Sequence, residues 1–393
     1  MARILILGAG RGQVELIKAV KKYGHTAVVA TIPGDYPGLT LADEVVYADI
    51  SNPEQVDHAV CKHGIQAVCT CCFDTAMASL GYVCEKHGLV GVSREAGSTA
   101  RDKLLMKQRM IAGGVRTPAY RKVTCTDDLA DIPNHLNFPV IIKPVDQQGS
   151  LGVSVAKTPG ELQYAYHNAK QSTKSPYCLA EEFVDGQKHG ANGCIANGEV
   201  LFLLPSEDLT DSVSVLGHVF PFDVDATLHD DIILQTTLAL QAIGIDNCIF
   251  NVDYIIKGGK CHIIEITGRM GANGIPQLLS VYYGIDIYKL LIDLSLGENL
   301  DAYRYGNDYA GTPCCSKMLI SHSSGVLQSI QDRNPDDNDI VERTFFVSAG
   351  EEINAYRSAK DCVGQIIVKA PTPKQCKVKV QEVEENILLV LEE

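Results

Sequence analysis

The chain has 393 residues, and at roughly 150 residues per domain that length predicts two or three modules. With 34 Lys and Arg against 48 Asp and Glu the net charge is −14, which argues against nucleic acid as a partner. No apolar run nears the roughly 20 residues that span a bilayer, so no membrane partner is expected.

The first apolar run, Ala2–Leu7, ends directly in Gly8-Ala9-Gly10, unlike a cleavable leader. Short apolar strands then alternate with amphipathic helices: Arg3–Leu7, Gln13–Tyr23, Thr26–Ala30, Pro53–His63 and Ala67–Thr70. With turn signals between them, residues 1–96 read as an α/β doubly wound parallel sheet. Residues 97–300 change to an α+β pattern of hairpins, a Gly-rich loop and two helices, Asp102–Ala112 and Asp230–Ile243. In 301–393 strands are expected near Lys317–His322, Thr344–Val347 and Gly364–Lys369, followed by an acidic helix, Pro373–Glu392. The 14 Cys over so long a chain do not make a disulfide framework and point to a reducing, cytoplasmic setting. Cys69, Cys71 and Cys72 follow an apolar run as a strand end would, without the second ligand pair of a zinc site.

Gly8-Ala9-Gly10-Arg11-Gly12 joins a strand to a helix, a geometry that turns backbone N–H groups toward an anion. The dinucleotide fingerprint fails, because Gln13 stands where it needs glycine. A tight turn near a substrate anion is the better reading of Gly10 and Arg11. Arg11 and Asp74 each follow a strand of this sheet, where ligands gather at carboxyl ends; Asp74 is equally suited to cap the helix after it.

Phe138–Pro144 is a buried-type strand that ends in Lys143, followed by Asp146-Gln147-Gln148-Gly149-Ser150-Leu151-Gly152. Lys143 can reach phosphate oxygens as a point charge. Gly149 and Gly152 permit a loop whose N–H groups, with the Ser150 hydroxyl, could close over a triphosphate. Asp102 is placed as an N-cap, and Lys103 in the first helical turn sits at an electropositive end that a bound phosphate would relieve. The strand Tyr177–Val184 ends in Glu181, Glu182 and Phe183, a hinge whose backbone can pair with an adenine edge.

The hairpin Phe250–Glu265 puts Asp253 and Glu265 on paired strands. They face each other only if the loop at Gly258-Gly259 holds an odd number of residues. Glu265, Thr267 and Arg269 then share a face, setting carboxylates for a hard divalent cation beside a guanidinium suited to phosphate.

In this order and spacing, Asp102-Lys103, Val140–Pro144 with its glycine loop, Glu181–Val184, Asp253 and Glu265-Ile266-Thr267-Gly268-Arg269 resemble the ATP-grasp superfamily. The resemblance implies a pre-ATP-grasp domain, a two-lobed nucleotide clamp and a small C-terminal domain. It further implies ATP with Mg²⁺ or Mn²⁺, small carboxylate and amine substrates, and a homodimer. Carried over by position, Lys103 and Lys143 hold phosphates, while Glu181, Glu182 and the Phe183-Val184 backbone meet adenine. Asp253, Glu265 and Thr267 take the metal positions, and Arg269 steadies an acyl-phosphate. Two residues depart from the common pattern. Lys188 replaces a ribose-binding glutamate, which shifts ribose contact to His189, and Thr267 replaces an asparagine. His218 falls where related ligases carry a Gly-His segment near the substrate pocket, and is a second catalytic candidate.

The expected activity is a carboxylate–amine ligase working through an acyl-phosphate. A purine-pathway enzyme with a phosphoribosyl substrate ranks second. An ATP-binding sensor that never turns over is the alternative outside catalysis.

Overall fold

The computed structural model describes residues 1–211 and 214–392. Contacts divide the chain into two units. The first comprises Met1–Leu203, Asp225–Met270 and Tyr288–Gly306, and the second Leu204–Val224, Gly271–Ile287 and Asn307–Glu393. Segments 204–224 and 271–287, placed in the middle domain from sequence, thus group with the C-terminal segment.

The first unit opens with β1 (Arg3–Leu7), α1 (Val14–Lys22), β2 (Thr26–Thr31), β3 (Glu44–Tyr47), α2 (Pro53–His63), β4 (Ala67–Cys69) and α3 (Met77–His87). The strands are parallel in the order β3-β2-β1-β4. Ile4 to Leu7 and Ala27 to Ala30 are wholly buried, as strands covered on both faces by helices must be. Then come α4 (Arg94–Arg101), α5 (Lys103–Ala112), β5 (Tyr120–Val123), α6 (Ile132–His135), β6 (Val140–Pro144), β7 (Ser154–Ala156), α7 (Leu162–Gln171) and β8 (Cys178–Glu182). These four strands form an antiparallel sheet, β5-β8-β6-β7, closed by Val140, Ile142 and Ala180 packing on Ala165 and Ala169 of α7.

Next follow β9 (Gln187–Ala196), β10 (Glu199–Asp211), β11 (Ser214–Phe220), α8 (Ala226–Ile243), β12 (Cys248–Lys257) and β13 (Lys260–Thr267). Within the first unit β12 lies between β9 and β13, antiparallel to both. Helix α8 begins four residues earlier than expected because the Asp225 carboxylate accepts the Leu228 N–H at 2.9 Å and caps it there.

The remaining elements are α9 (Ile275–Tyr283), α10 (Ile287–Leu296), β14 (Cys314–Leu319), β15 (Gly325–Asp332), β16 (Ile340–Phe345), β17 (Glu352–Ile353), β18 (Gly364–Lys369), α11 (Pro373–Glu385) and β19 (Ile387–Leu391). In the second unit β18 lies between β14 and β16, and a smaller sheet runs β17-β15-β19. The closing helix expected over Pro373–Glu392 is corrected here: it stops at Glu385, and the apolar run after Asn386 pairs as β19 with β15. Side chains that would have been stranded on a polar helix are thereby given a sheet partner.

The hairpin between β12 and β13 fixes the register on which the site depends. Lys257 opposes Lys260 across a two-residue turn, Gly258-Gly259, with φ of 58° and 69°. Both positive angles match the type I′ turn that suits strand twist. Gly258→Ala places a Cβ in the left-handed region and is expected to destabilise the first unit by roughly 1–2 kcal/mol in urea unfolding.

Candidate active site

A two-residue turn alone would set Asp253 opposite Ile264. Instead the register shifts between Asp253 and Tyr254, so that Tyr254 opposes Ile263 and Asp253 opposes Glu265. The parity expected from an odd loop is supplied by a β-bulge at Ile264. Directly opposed residues share a face, so both carboxylates project to one side.

Each of these acids is matched to a lysine. Lys103 Nζ lies 2.9 Å from Glu265 Oε1 and donates to the Gln147 carbonyl at 2.7 Å. The helix start that carries it is held by Asp102, whose carboxylate accepts the Leu104 and Leu105 N–H groups. Lys188 Nζ lies 2.9 Å from Asp253 Oδ2, while Asn251 Nδ2 donates to Oδ1 at 3.3 Å. Burial raises the Asp253 carboxyl, but Lys188, Arg269 and Asn251 together outweigh it and the net shift is downward.

Below this pair lies a second buried charge cluster. Glu181 on β8 is 2.7 Å from Lys143 on β6 and 3.1 Å from Lys107 on α5. Lys107 is fully buried, and burial pushes its ammonium down to about 8 against the raising pull of Glu181. Lys103 and Lys107 are one turn apart on α5, so a single helix face serves both acids.

Asp74 forms the third cluster. Its Oδ1 accepts Arg269 Nε at 2.7 Å and the Thr267 hydroxyl at 2.9 Å, and its Oδ2 accepts Arg269 Nη2 at 2.7 Å. Burial raises the Asp74 carboxyl, yet the guanidinium overrides burial and the carboxyl sits below its ordinary value. Arg269 Nη1 donates to the Met270 carbonyl at 3.0 Å.

Lys103, Lys143, Asp253, Glu265 and Arg269 all belong to the first unit, and the other candidates have the following partners. His189 opposes Tyr254 and lies on the face away from Lys188 and Asp253, its ring centroid 6.1 Å from that of Tyr254. The Thr267 hydroxyl, on the same face as the two acids, donates to Asp74, and Asp74 is engaged by Arg269 and Thr267. Glu181 is held by two lysines, and Glu182 accepts the Asn137 backbone and side-chain N–H groups, both at 2.8 Å. The Phe183 N–H is taken by the Pro139 carbonyl at 2.9 Å; the hinge amide of Val184 makes no such backbone bond among the described residues.

In the first glycine turn, the Gly10 N–H donates to Gln13 Oε1 at 3.0 Å, so the residue that breaks the dinucleotide fingerprint fills the anion position with its own amide. Arg11 is exposed at the end of that strand. Gly149, Ser150 and Gly152 form the loop between β6 and β7, all with positive φ, and at Gly152 a Cβ would meet Ser172 at 2.6 Å. The root of that loop is tied down, since Gln148 Oε1 accepts the Asp74 N–H at 3.1 Å. His218 belongs to the second unit, where it is buried with Nδ1 2.9 Å from Asp208 Oδ1.

Sequence reasoning missed Lys107, Asn251 and Asn192. Lys107 was legible in periodicity: it lies three residues from both Leu104 and Met110 on the buried face of α5. Asn192 opposes Asn251, which opposes Thr267, making a polar row across three strands that no local motif marks.

Comparison with known proteins agrees with this geometry. Residues 100–273 match the ATP-grasp domain family, and residues 317–392 match L-amino acid ligase C-terminal domain 2. The crystal structure of phosphoribosylglycinamide synthetase from Anaerococcus prevotii is 36% identical, with a TM-score of 0.85 and full coverage of both chains. The chain belongs to the ATP-grasp superfamily. It is an ATP-binding ATP-grasp ligase that forms C–N bonds. The same fold appears in L-amino acid ligase from Bacillus licheniformis, with a TM-score of 0.84, 17% identity and coverage of 100% and 99%. Alanine–anticapsin ligase of Bacillus subtilis is 26% identical over 253 residues, 57% of this chain and 53% of its own length, so this chain spans about half of that relative. Among the described residues no helix is long and apolar enough to cross a membrane.

Two outcomes test these clusters. Glu181→Gln leaves Lys107 and Lys143 buried without their carboxylate and is expected to cost about 3–5 kcal/mol in urea unfolding at neutral pH. Because the folded Asp74 carboxyl lies below its ordinary 3.8, its stabilisation is present above that pH and lost as pH falls through the lower folded value. Asp74→Asn is therefore expected to flatten the acid limb of a stability–pH curve.

Proposed function

We propose that this ligase activates a small carboxylate with ATP and joins it to an amine, releasing ADP and phosphate. The observation that carries the reading is the bulged register that sets Asp253 opposite Glu265 on one face, with Lys103 reaching Glu265 at 2.9 Å. Two facing carboxylates, each now balanced by an ammonium, are a hard oxygen donor set that fits Mg²⁺, or Mn²⁺ in its place. When bound, the ion would neutralise phosphoryl oxygens.

Lys103 and Lys143 then hold phosphates, the loop with Gly149, Ser150 and Gly152 covers them, and the Val184 amide serves the adenine edge. A substrate carboxylate oxygen attacks the γ-phosphorus; that O–P bond forms as the bond to the β–γ bridging oxygen breaks, and ADP leaves. The amine next attacks the acyl carbon, the C–O bond to phosphate breaks, and the nitrogen loses a proton. Both steps ask the chain mainly for positioning and charge neutralisation. Arg269 supplies the fixed positive charge near the acyl-phosphate.

The L-amino acid ligase match over 317–392 supports amino acids as substrates. The 36% identity to phosphoribosylglycinamide synthetase favours a second reading, in which the amine carries a ribose phosphate. Incubation with Mg-ATP and a panel of amino acids and phosphoribosyl amines, read by phosphate release and product mass, separates the two. A panel without carboxylate-dependent ADP formation overturns both. Lys143→Met is expected to lower kcat at least ~10²-fold, whereas a sensor that never turns over would lose only nucleotide affinity.

A further inference from the structure

Arg269 carries five N–H donors in a planar fork. Three are engaged within the chain: Nε and Nη2 on Asp74, and one Nη1 proton on the Met270 carbonyl. Of the two that are left, one belongs to each terminal nitrogen, and the one on Nη2 points to the outer end because Nη2 shares Asp74 with Nε. The two terminal nitrogens thus each keep a donor for a carboxylate or an acyl-phosphate.

We infer that Asp74 is a positioning residue: by gripping the Nε–Nη2 edge of Arg269, it aims the remaining donors at the substrate carboxylate. The inference rests on the ligase reading above. Asp74 is suited to this because it is itself fixed at four points, through two bonds from Arg269, one from the Thr267 hydroxyl and one from its own N–H to Gln148 Oε1. Its side chain is 13% exposed and that of Arg269 12%, so neither swings freely through solvent. Thr267 gains a role here as well. Its hydroxyl completes the grip from the end of β13, while Gln148 links Asp74 to the root of the loop that carries Gly149.

A carboxylate on Arg269 could instead mimic the substrate and block its place. The backbone anchor on Nη1 argues for a built-in mount, because it and Asp74 together hold all three guanidinium nitrogens while each terminal nitrogen keeps one N–H beyond these bonds.

The test compares wild type, Asp74→Asn, Asp74→Glu and Thr267→Val in steady-state kinetics with a carboxylate the wild type accepts, alongside nucleotide binding without carboxylate. Wild-type turnover checks the ligase reading by itself, so its failure is distinct from failure of this inference. Asp74→Asn is expected to lower kcat/KM for the carboxylate by ~10²-fold, mostly through KM, with ATP affinity changed less than ~3-fold. Asp74→Glu keeps the charge but displaces the fork and should recover part of the loss. Equal or higher kcat/KM in a folded Asp74→Asn protein overturns the inference in favour of substrate mimicry. Matching losses for ATP and carboxylate overturn it in favour of a purely structural role. If Asp74→Asn does not fold, Thr267→Val decides: a ~10-fold loss in kcat/KM for the carboxylate alone is expected, and wild-type kinetics overturns the mount.

Discussion

A carboxylate withdrawn from water without a partner costs several kcal/mol, and the first unit buries two, Glu181 and Asp74, and half-buries two more, Asp253 and Glu265. Glu181, Asp253, Glu265 and Asp74 are each held by at least one cation at 2.7–2.9 Å. That requirement ties together elements distant in sequence. Helix α5 supplies Lys103 to β13 and Lys107 to β8, and Arg269, just after β13, reaches the segment that follows β4. The strands and helices could pack on apolar burial alone; the charge pairs select which faces meet.

The same pairs give the site its chemistry. On the proposed reading, a lysine paired with an acid stands near the place where phosphate oxygens and a divalent ion would exchange partners with it. Binding can therefore replace one set of ion pairs by another with no charge left unmatched at either stage. Lys107 is the exception in kind: wholly buried beside Glu181, it supports Lys143 from behind.

Much of this was readable in the sequence because the signals were local. Asp102 as a cap, Lys103 in the first turn, the strand into Lys143, and the acids at 253 and 265 all rest on patterns a few residues long, and the order of five such patterns was enough for the family. What escaped was set by pairing between distant segments. The partner of Arg269 lies 195 residues away in the chain, the opposing of His189 and Tyr254 depends on strand register, and Gln13 looks like a defect in a glycine motif until its amide is seen on Gly10. The C-terminal strand β19 was missed for a related reason: its apolar run has no periodicity to separate it from the helix before it, and only β15 supplies the reason to extend.

The bulge at Ile264 uncouples hairpin length from the meeting of the two acids. Without that residue, a regular two-residue hairpin would bring the neighbours of Ile263 and Tyr254 into the same opposition; with it, the bulge absorbs the extra length and the opposition survives. Removal of Ile264 would thus leave the opposition of the two acids in place. Relatives differing by one residue between their two acids can share the same arrangement, and an alignment that opens no gap there will lay one chain's ligand over another chain's isoleucine.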